Sequence, residues 1–262
     1  MKLVLSASRR TDLVAGYPNQ LVEILKKYPP EQVHSVVLWT KKAGNLIHHR
    51  ALRESLLQYD QLFLHFSITG MGGTLFEPGI PRTAESLSLL PALIQLTGSP
   101  ERISIRFDPI VNVKVKGKRY TNLEAFPEIA QAAQRHSIRR ITTSWMSSYK
   151  KLFPRLGPRD IELMEFDWRS QADQILHECS KRSLQLNACC VEGLAVSRCI
   201  DGPLLSALHP RGEKCSLAKA SGQRPLCGCT ASKDIGWYSM VCPGGCLYCY
   251  ANPADLTTHN RD

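Results

Sequence analysis

Arg102-Ile103-Ser104-Ile105-Arg106-Phe107-Asp108-Pro109 alternates apolar and polar side chains until the proline ends the pattern. Successive side chains of a strand point to opposite faces. Ser104, Arg106 and Asp108 therefore share one face, and Ile103, Ile105 and Phe107 the other. The same one-sided alternation recurs at 62–68, where His65 and Ser67 oppose Leu64, Phe66 and Ile68, and at 184–188, where Gln185 and Asn187 oppose Leu184, Leu186 and Ala188. A parallel strand covered by helices on both faces is apolar on both. Strands that are polar on one face, increasingly so toward their C-terminal ends, fit a barrel whose interior opens to an active site at that end. The expected fold is α/β, a TIM-barrel-like (βα) barrel, in preference to an open doubly wound sheet.

Further strand-like segments lie at 2–6, 33–39 and 138–143. Helical patterns fall between them: one over 83–96 with a kink at Pro91, one from a capping box at Thr121 and Glu124 to near His136, and a long one after Pro158. Strand then helix, repeated about six times, argues for a parallel sheet with covering helices. The 262 residues suit a single domain, 1–262, with 1–190 as the barrel body and 191–262 as a Cys-rich segment that closes the barrel. A content of 43% hydrophobic and 21% charged residues excludes a disordered chain. No apolar run reaches the roughly 18 residues of a membrane span. The first residues carry one Lys and a brief apolar stretch, too short for a signal-peptide core, so a cytoplasmic protein without a membrane partner is expected. The formal charge of +10 permits phosphate-rich partners, but no block of roughly five or six basic residues occurs, and a solvated surface explains it equally.

The 10 cysteines are unevenly placed: none precedes Cys179, and Cys215, Cys227, Cys229, Cys242, Cys246 and Cys249 crowd the end. In a reducing compartment, clustered thiols hold a metal or redox centre more often than disulfides. In Cys242-Pro243-Gly244-Gly245-Cys246-Leu247-Tyr248-Cys249 the glycines let the backbone fold tightly, so the three sulfurs can converge. A thiolate triad of this kind holds three corners of a cubane iron–sulfur cluster and leaves the fourth iron open to an exogenous ligand.

This loop resembles the Cys-x3-Cys-x2-Cys signature of radical S-adenosylmethionine (SAM) enzymes, with Tyr248 in the aromatic position before the last Cys. The resemblance implies a 4Fe-4S cluster on Cys242, Cys246 and Cys249, SAM held on the open iron, and an electron donor such as flavodoxin or ferredoxin. The cluster's electron would cleave SAM to start hydrogen abstraction from an unknown substrate. In those enzymes the loop follows the first barrel strand, whereas here it lies near the end of the chain. A circularly permuted barrel, with the run 235–241 as a last strand beside the first, would restore the spatial order. Tyr248 would then pack near the adenine. Arg9, Arg10 and Asp12, in the loop after the first strand, would contact the cofactor, or serve only as solvated turn residues. Arg106 and Asp108 are the candidate catalytic pair, or a buried ion pair that fixes the barrel, and His65 lines the cavity.

More of the chain resembles a bacterial family called domain of unknown function 1848. The matching pieces are Ser6 to Asp12, Trp39-Thr40-Lys41, Arg106-Phe107-Asp108-Pro109-Ile110, Gln223-Arg224, Cys227-Gly228-Cys229, Ser232 to Gly236 and Cys242 to Asn252. Within this resemblance Cys190, Cys199, Cys227 and Cys229 supply four thiolates for a second centre, either an iron–sulfur cluster or a zinc site. Cys215 is a reserve ligand, and Cys179 and Cys189 are expected to be buried apolar fillers. Two other functions stay open: a non-enzymatic protein in which zinc or iron–sulfur centres tie the tail to the barrel, and a nucleic-acid repair or modification enzyme resembling spore photoproduct lyase.

Overall fold

The computed structural model describes residues 1–256. Ten strands are described: β1 (Leu3–Ala7), β2 (Val33–Thr40), β3 (Leu62–Ser67), β4 (Ile103–Ile110), β5 (Asn112–Val115), β6 (Lys118–Thr121), β7 (Arg140–Trp145), β8 (Ile161–Leu163), β9 (Gln185–Ala188) and β10 (Lys233–Asp234). Seven of them form one sheet in the order β10-β1-β2-β3-β4-β7-β9. All of its pairings are parallel. β5, β6 and β8 make a small antiparallel sheet beside it.

The fold is mixed α/β with a mostly parallel sheet, as the alternating segments indicate. The last strand does lie beside the first, with Ser6 opposite Asp234. The hydrogen-bonded order leaves β9 and β10 as its two edges, unpaired with each other, so the ladder forms no closed ring.

Each face of the sheet has its own core. Leu5, Val36, Leu38, Leu64, Phe66, Ile105 and Phe107 pack with helix residues such as Leu21, Leu93, Phe126 and Ile129. The opposite face was expected to be a polar interior. Instead its N-terminal end is apolar: Val4, Val37 and Phe63 pack against Cys199, Ile200, Leu205, Cys215, Cys227 and Cys229. The Cys-rich segment thus covers this face as a second layer, and the polar side chains that reach the cavity lie toward the C-terminal strand ends. Residues 257–262 of the expected 191–262 segment lie outside the described residues.

Several element boundaries differ from the sequence pattern, each for a local reason. The segment 83–96 forms two helices, Thr83–Ser88 and Leu90–Thr97; Pro91 sits in the first turn of the second, where its missing N–H is harmless. Thr121 ends β6 rather than capping a helix, and the following helix runs Phe126–Arg135 with Pro127 in its first turn. The stretch after Pro158 turns into β8 first, and the long helix is Trp168–Lys181, capped by the Asp167 carboxylate, which accepts from the Arg169 and Ser170 amides. The run 235–241 is not a strand. β10 ends at Asp234, whose carboxylate accepts from the Ser6 and Ser8 hydroxyls and the Arg9 and Gly236 amides, and this ring of donors turns the chain. Among the described residues, no helix is long and apolar enough to cross a membrane.

Candidate active site at the strand ends

A cavity of about 670 Å³ opens at the C-terminal ends of β1, β2, β4 and β7. The strand register explains its polar wall. Alternation puts Arg106 and Asp108 on the face away from the helix-packed core, and both line the cavity. The Asp108 carboxylate accepts from Arg106 Nη2 and from the Ser144 hydroxyl on β7. Arg106 Nη1 donates to the Cys199 sulfur at 3.0 Å, and its guanidinium lies 5.0 Å over the Trp39 ring. Burial opposes the Arg106 charge, but Asp108 and Cys199 outweigh it and hold Arg106 protonated. His65 sits behind the wall, buried, with Nε2 2.6 Å from the Cys199 carbonyl oxygen and its ring stacked on Trp39. Burial pushes it down to about 4, which keeps the imidazole neutral.

The residues after β1 also reach the cavity, mostly through engaged groups. The Asp12 carboxylate caps the helix Leu13–Gly16 by accepting from the Ala15 amide, and it accepts from the Thr40 hydroxyl and the Lys41 amide. Burial raises its affinity for a proton despite these donors. Arg10 donates to the Gly236 carbonyl and stacks over Tyr238. Arg9 lies 3.6 Å from Asp234 and reaches Gln223. Asp12 and Arg10 are thus committed to internal contacts, and Arg9 is the more available of the two cations.

The Cys242–Cys249 loop also lines the cavity and is held by backbone bonds. Cys242 exchanges backbone bonds with Asn252 and Ala254, the Leu247 amide donates to Phe76, and the Gly79 amide donates to Gly244. Gly245 adopts φ +61°, and a Cβ there would stand 2.7 Å from Leu256. All three thiols line the cavity. The Ala251 amide donates to the Cys249 sulfur at 3.4 Å, and the Gly244 and Asp12 amides donate to Cys242. Burial nevertheless raises all three thiols, Cys246 well above the usual range. Buried thiols stay protonated unless a metal cation draws off the proton.

Among the described residues, no group of three or more His, Cys, Asp or Glu side chains is arranged to hold a single metal ion. A cubane cluster sets a different requirement, because each thiolate binds its own iron and the sulfurs stand farther apart. Three soft thiols on one wall, with amides aimed at two of the sulfurs, are a donor set that fits such a cluster.

Behind the loop lies a polar group that carries no sequence signature. Glu77, 1% exposed, receives Lys41 Nζ at 2.8 Å, the Thr69 hydroxyl at 2.7 Å and the Tyr248 hydroxyl. Lys41 also lies 5.6 Å over the Tyr248 ring. Burial disfavours its charge, but Glu77, Cys246 and Asp108 together raise its affinity for the proton. Tyr248 is raised well above a free phenol by burial and by Glu77.

A family model, domain of unknown function (DUF1848), matches residues 4–251. The chain belongs to this family. No curated protein matches it.

In this DUF1848 chain the expected cysteines divide differently from the sequence assignment. Cys199, Cys227 and Cys229 line the cavity, but the fourth thiol on that wall is Cys189, not Cys190. Cys215 is tucked under the helix Gly202–Leu208, bonded to Ser206 and the Gly202 carbonyl. Cys179 is a buried core residue, as expected of a filler. Cys189 had a signal in the sequence: it extends the Gln185, Asn187 face of β9 by one more step of two.

Proposed function

We propose that this chain is a radical SAM-type enzyme, in which Cys242, Cys246 and Cys249 hold a 4Fe-4S cluster and a permuted (βα) barrel, left open between β9 and β10, is the frame. The observation that carries this reading is the placement of the cysteine loop. It follows β10, β10 lies beside β1, and its three thiols open on the same cavity as Arg106 and Asp108. The C-terminal end of a parallel sheet is where ligands collect. A strand supplied from the end of the chain and laid beside β1 occupies the place that precedes the cysteine loop in the enzymes this loop resembles.

When bound, such a cluster supplies one electron that cleaves the sulfonium carbon–sulfur bond of SAM, and so starts hydrogen abstraction from a substrate. The chain's residues prepare the cavity for that chemistry. Lys41 places a positive charge near Cys246, held there by Glu77. Asp108, oriented by Arg106 and Ser144, presents a carboxylate to a cationic or hydroxylated ligand. Arg9 at the rim is the available partner for a carboxylate. Arg10 and Asp12 act one step back, fixing Gly236 and the Thr40-Lys41 backbone. Trp39, Trp145 and Tyr250 supply aromatic surface to the cavity. A cytoplasmic location and a flavodoxin or ferredoxin as electron donor belong to the same proposal.

Metal analysis of anaerobically purified protein tests the premise. Iron with acid-labile sulfide is expected. Zinc alone would leave a structural metal tie and end the enzymatic reading.

A further inference from the structure

We propose that Cys189, Cys199, Cys227 and Cys229 hold a second iron–sulfur cluster on the wall of the same cavity. These four thiols are distinct from the three of the loop, so a second cluster does not depend on the first.

The four thiols come from three chain segments that backbone bonds clamp together. The Cys189 amide donates to Thr143 at the end of β7, and Ser197 donates back to Ala188. The Thr230 amide donates to Ile200, and the Ile200 amide points at the Cys229 sulfur at 3.5 Å. The Cys227 amide donates to Arg224, closing the turn before Gly228. Gly228 allows the close approach: a Cβ there would stand 2.8 Å from Arg198 Cγ and 2.9 Å from Val196 Cγ1. As a result Cys189, Cys199, Cys227 and Cys229 all line the cavity, with Cys199, Cys227 and Cys229 in one buried cluster and Cys189 packed against it.

Two cations face this group. Arg106 donates to Cys199 at 3.0 Å and Arg224 to Cys189 at 3.3 Å. Four thiolates around iron carry net negative charge, and N–H donors to the sulfurs compensate it and tune the potential. A third observation concerns an unmet donor. Trp39 packs against the buried cluster that includes Cys199, Cys227 and Cys229, and its buried indole N–H has no partner. Buried donors rarely go without an acceptor, and a bound sulfide supplies one.

Four soft thiolates are a ligand set that a cubane cluster takes, and zinc on the same four is the outcome the experiment distinguishes. Cys190, at φ +58°, is next in sequence but does not line the cavity, and is left out of the ligand set.

The test is iron and sulfide content of the full chain after anaerobic reconstitution with ferrous iron and sulfide, with electron paramagnetic resonance after reduction. Wild type should hold about eight irons, two cubanes' content, and C242S/C246S/C249S about four. C189S/C199S/C227S/C229S should likewise hold about four. Because that variant removes buried thiols and can fail to fold, single substitutions in the C242S/C246S/C249S background provide the second reading. There C189S should lower iron occupancy at least twofold and alter the resonance, while C190S should leave both unchanged. Zinc in place of iron in C242S/C246S/C249S, loss of all its iron, or equal effects of C189S and C190S would overturn the proposal. Equal iron in wild type and C242S/C246S/C249S would instead remove the first cluster and leave this one standing.

Discussion

Glu77 gathers three donors, Lys41, Thr69 and Tyr248, in a site almost closed to water. Removing one member of a buried ion pair costs more than the pair is worth, because the other charge is left uncompensated. Glu77→Gln is therefore expected to destabilise the apo-protein by about 3 kcal/mol in urea denaturation. The double variant Lys41→Met with Glu77→Gln should lose less than the sum of the two single changes, and strict additivity would show that the pair is not coupled. Legibility in the sequence was uneven at this scale. The period of two placed Arg106 and Asp108 on one face before any fold was known, and both reach the cavity. Applied one step past β9, the same rule picks Cys189 over Cys190. Glu77 had no such signal: it lies outside the strands and helices, far in sequence from Lys41 and Tyr248, and only tertiary folding joins them.

The cysteine loop depends on its glycines more than on hydrogen-bonded secondary structure. Gly245 takes a left-handed conformation that costs an L-residue about 1–2 kcal/mol, and its missing Cβ leaves room for Leu256. Gly245→Ala should lower the apo-protein's stability by about 2 kcal/mol in thermal unfolding. It should also reduce iron uptake after reconstitution. Unchanged uptake would mean that the loop tolerates displacement and does not fix the thiols. The spacing of the three cysteines showed the loop at once, since the motif is local. Its approach was harder to read. The apolar run 235–241 resembles a strand, but the pairing stops at Asp234, where side-chain hydroxyls and amides from the β1 end occupy the carboxylate. Propensity cannot register such a long-range contact. Likewise, Pro91, Pro127 and Pro158 each fall in the first turn of a helical segment, but how far that segment runs is decided by packing.

For the molecule as a whole, strand–helix alternation was enough to indicate a mostly parallel sheet. It was not enough to indicate closure, because ring formation depends on whether two edges far apart in sequence meet, and here β9 and β10 do not pair. One-sided polarity in the sequence reads as an open interior. The sheet's second face is instead filled at its lower end by the segment carrying Cys199, Leu205 and Cys229, and only the upper end remains a cavity. That arrangement brings two thiol groups, Arg106, Asp108 and Lys41 onto one cavity, and the central claim is that this cavity performs SAM-dependent radical chemistry. The most direct measurement is 5′-deoxyadenosine formed when the anaerobically reconstituted, chemically reduced protein is given SAM. Wild type should release it, and Cys246→Ala should fall to the protein-free background. Release by Cys246→Ala equal to wild type, or none from iron-loaded wild type, would contradict the account.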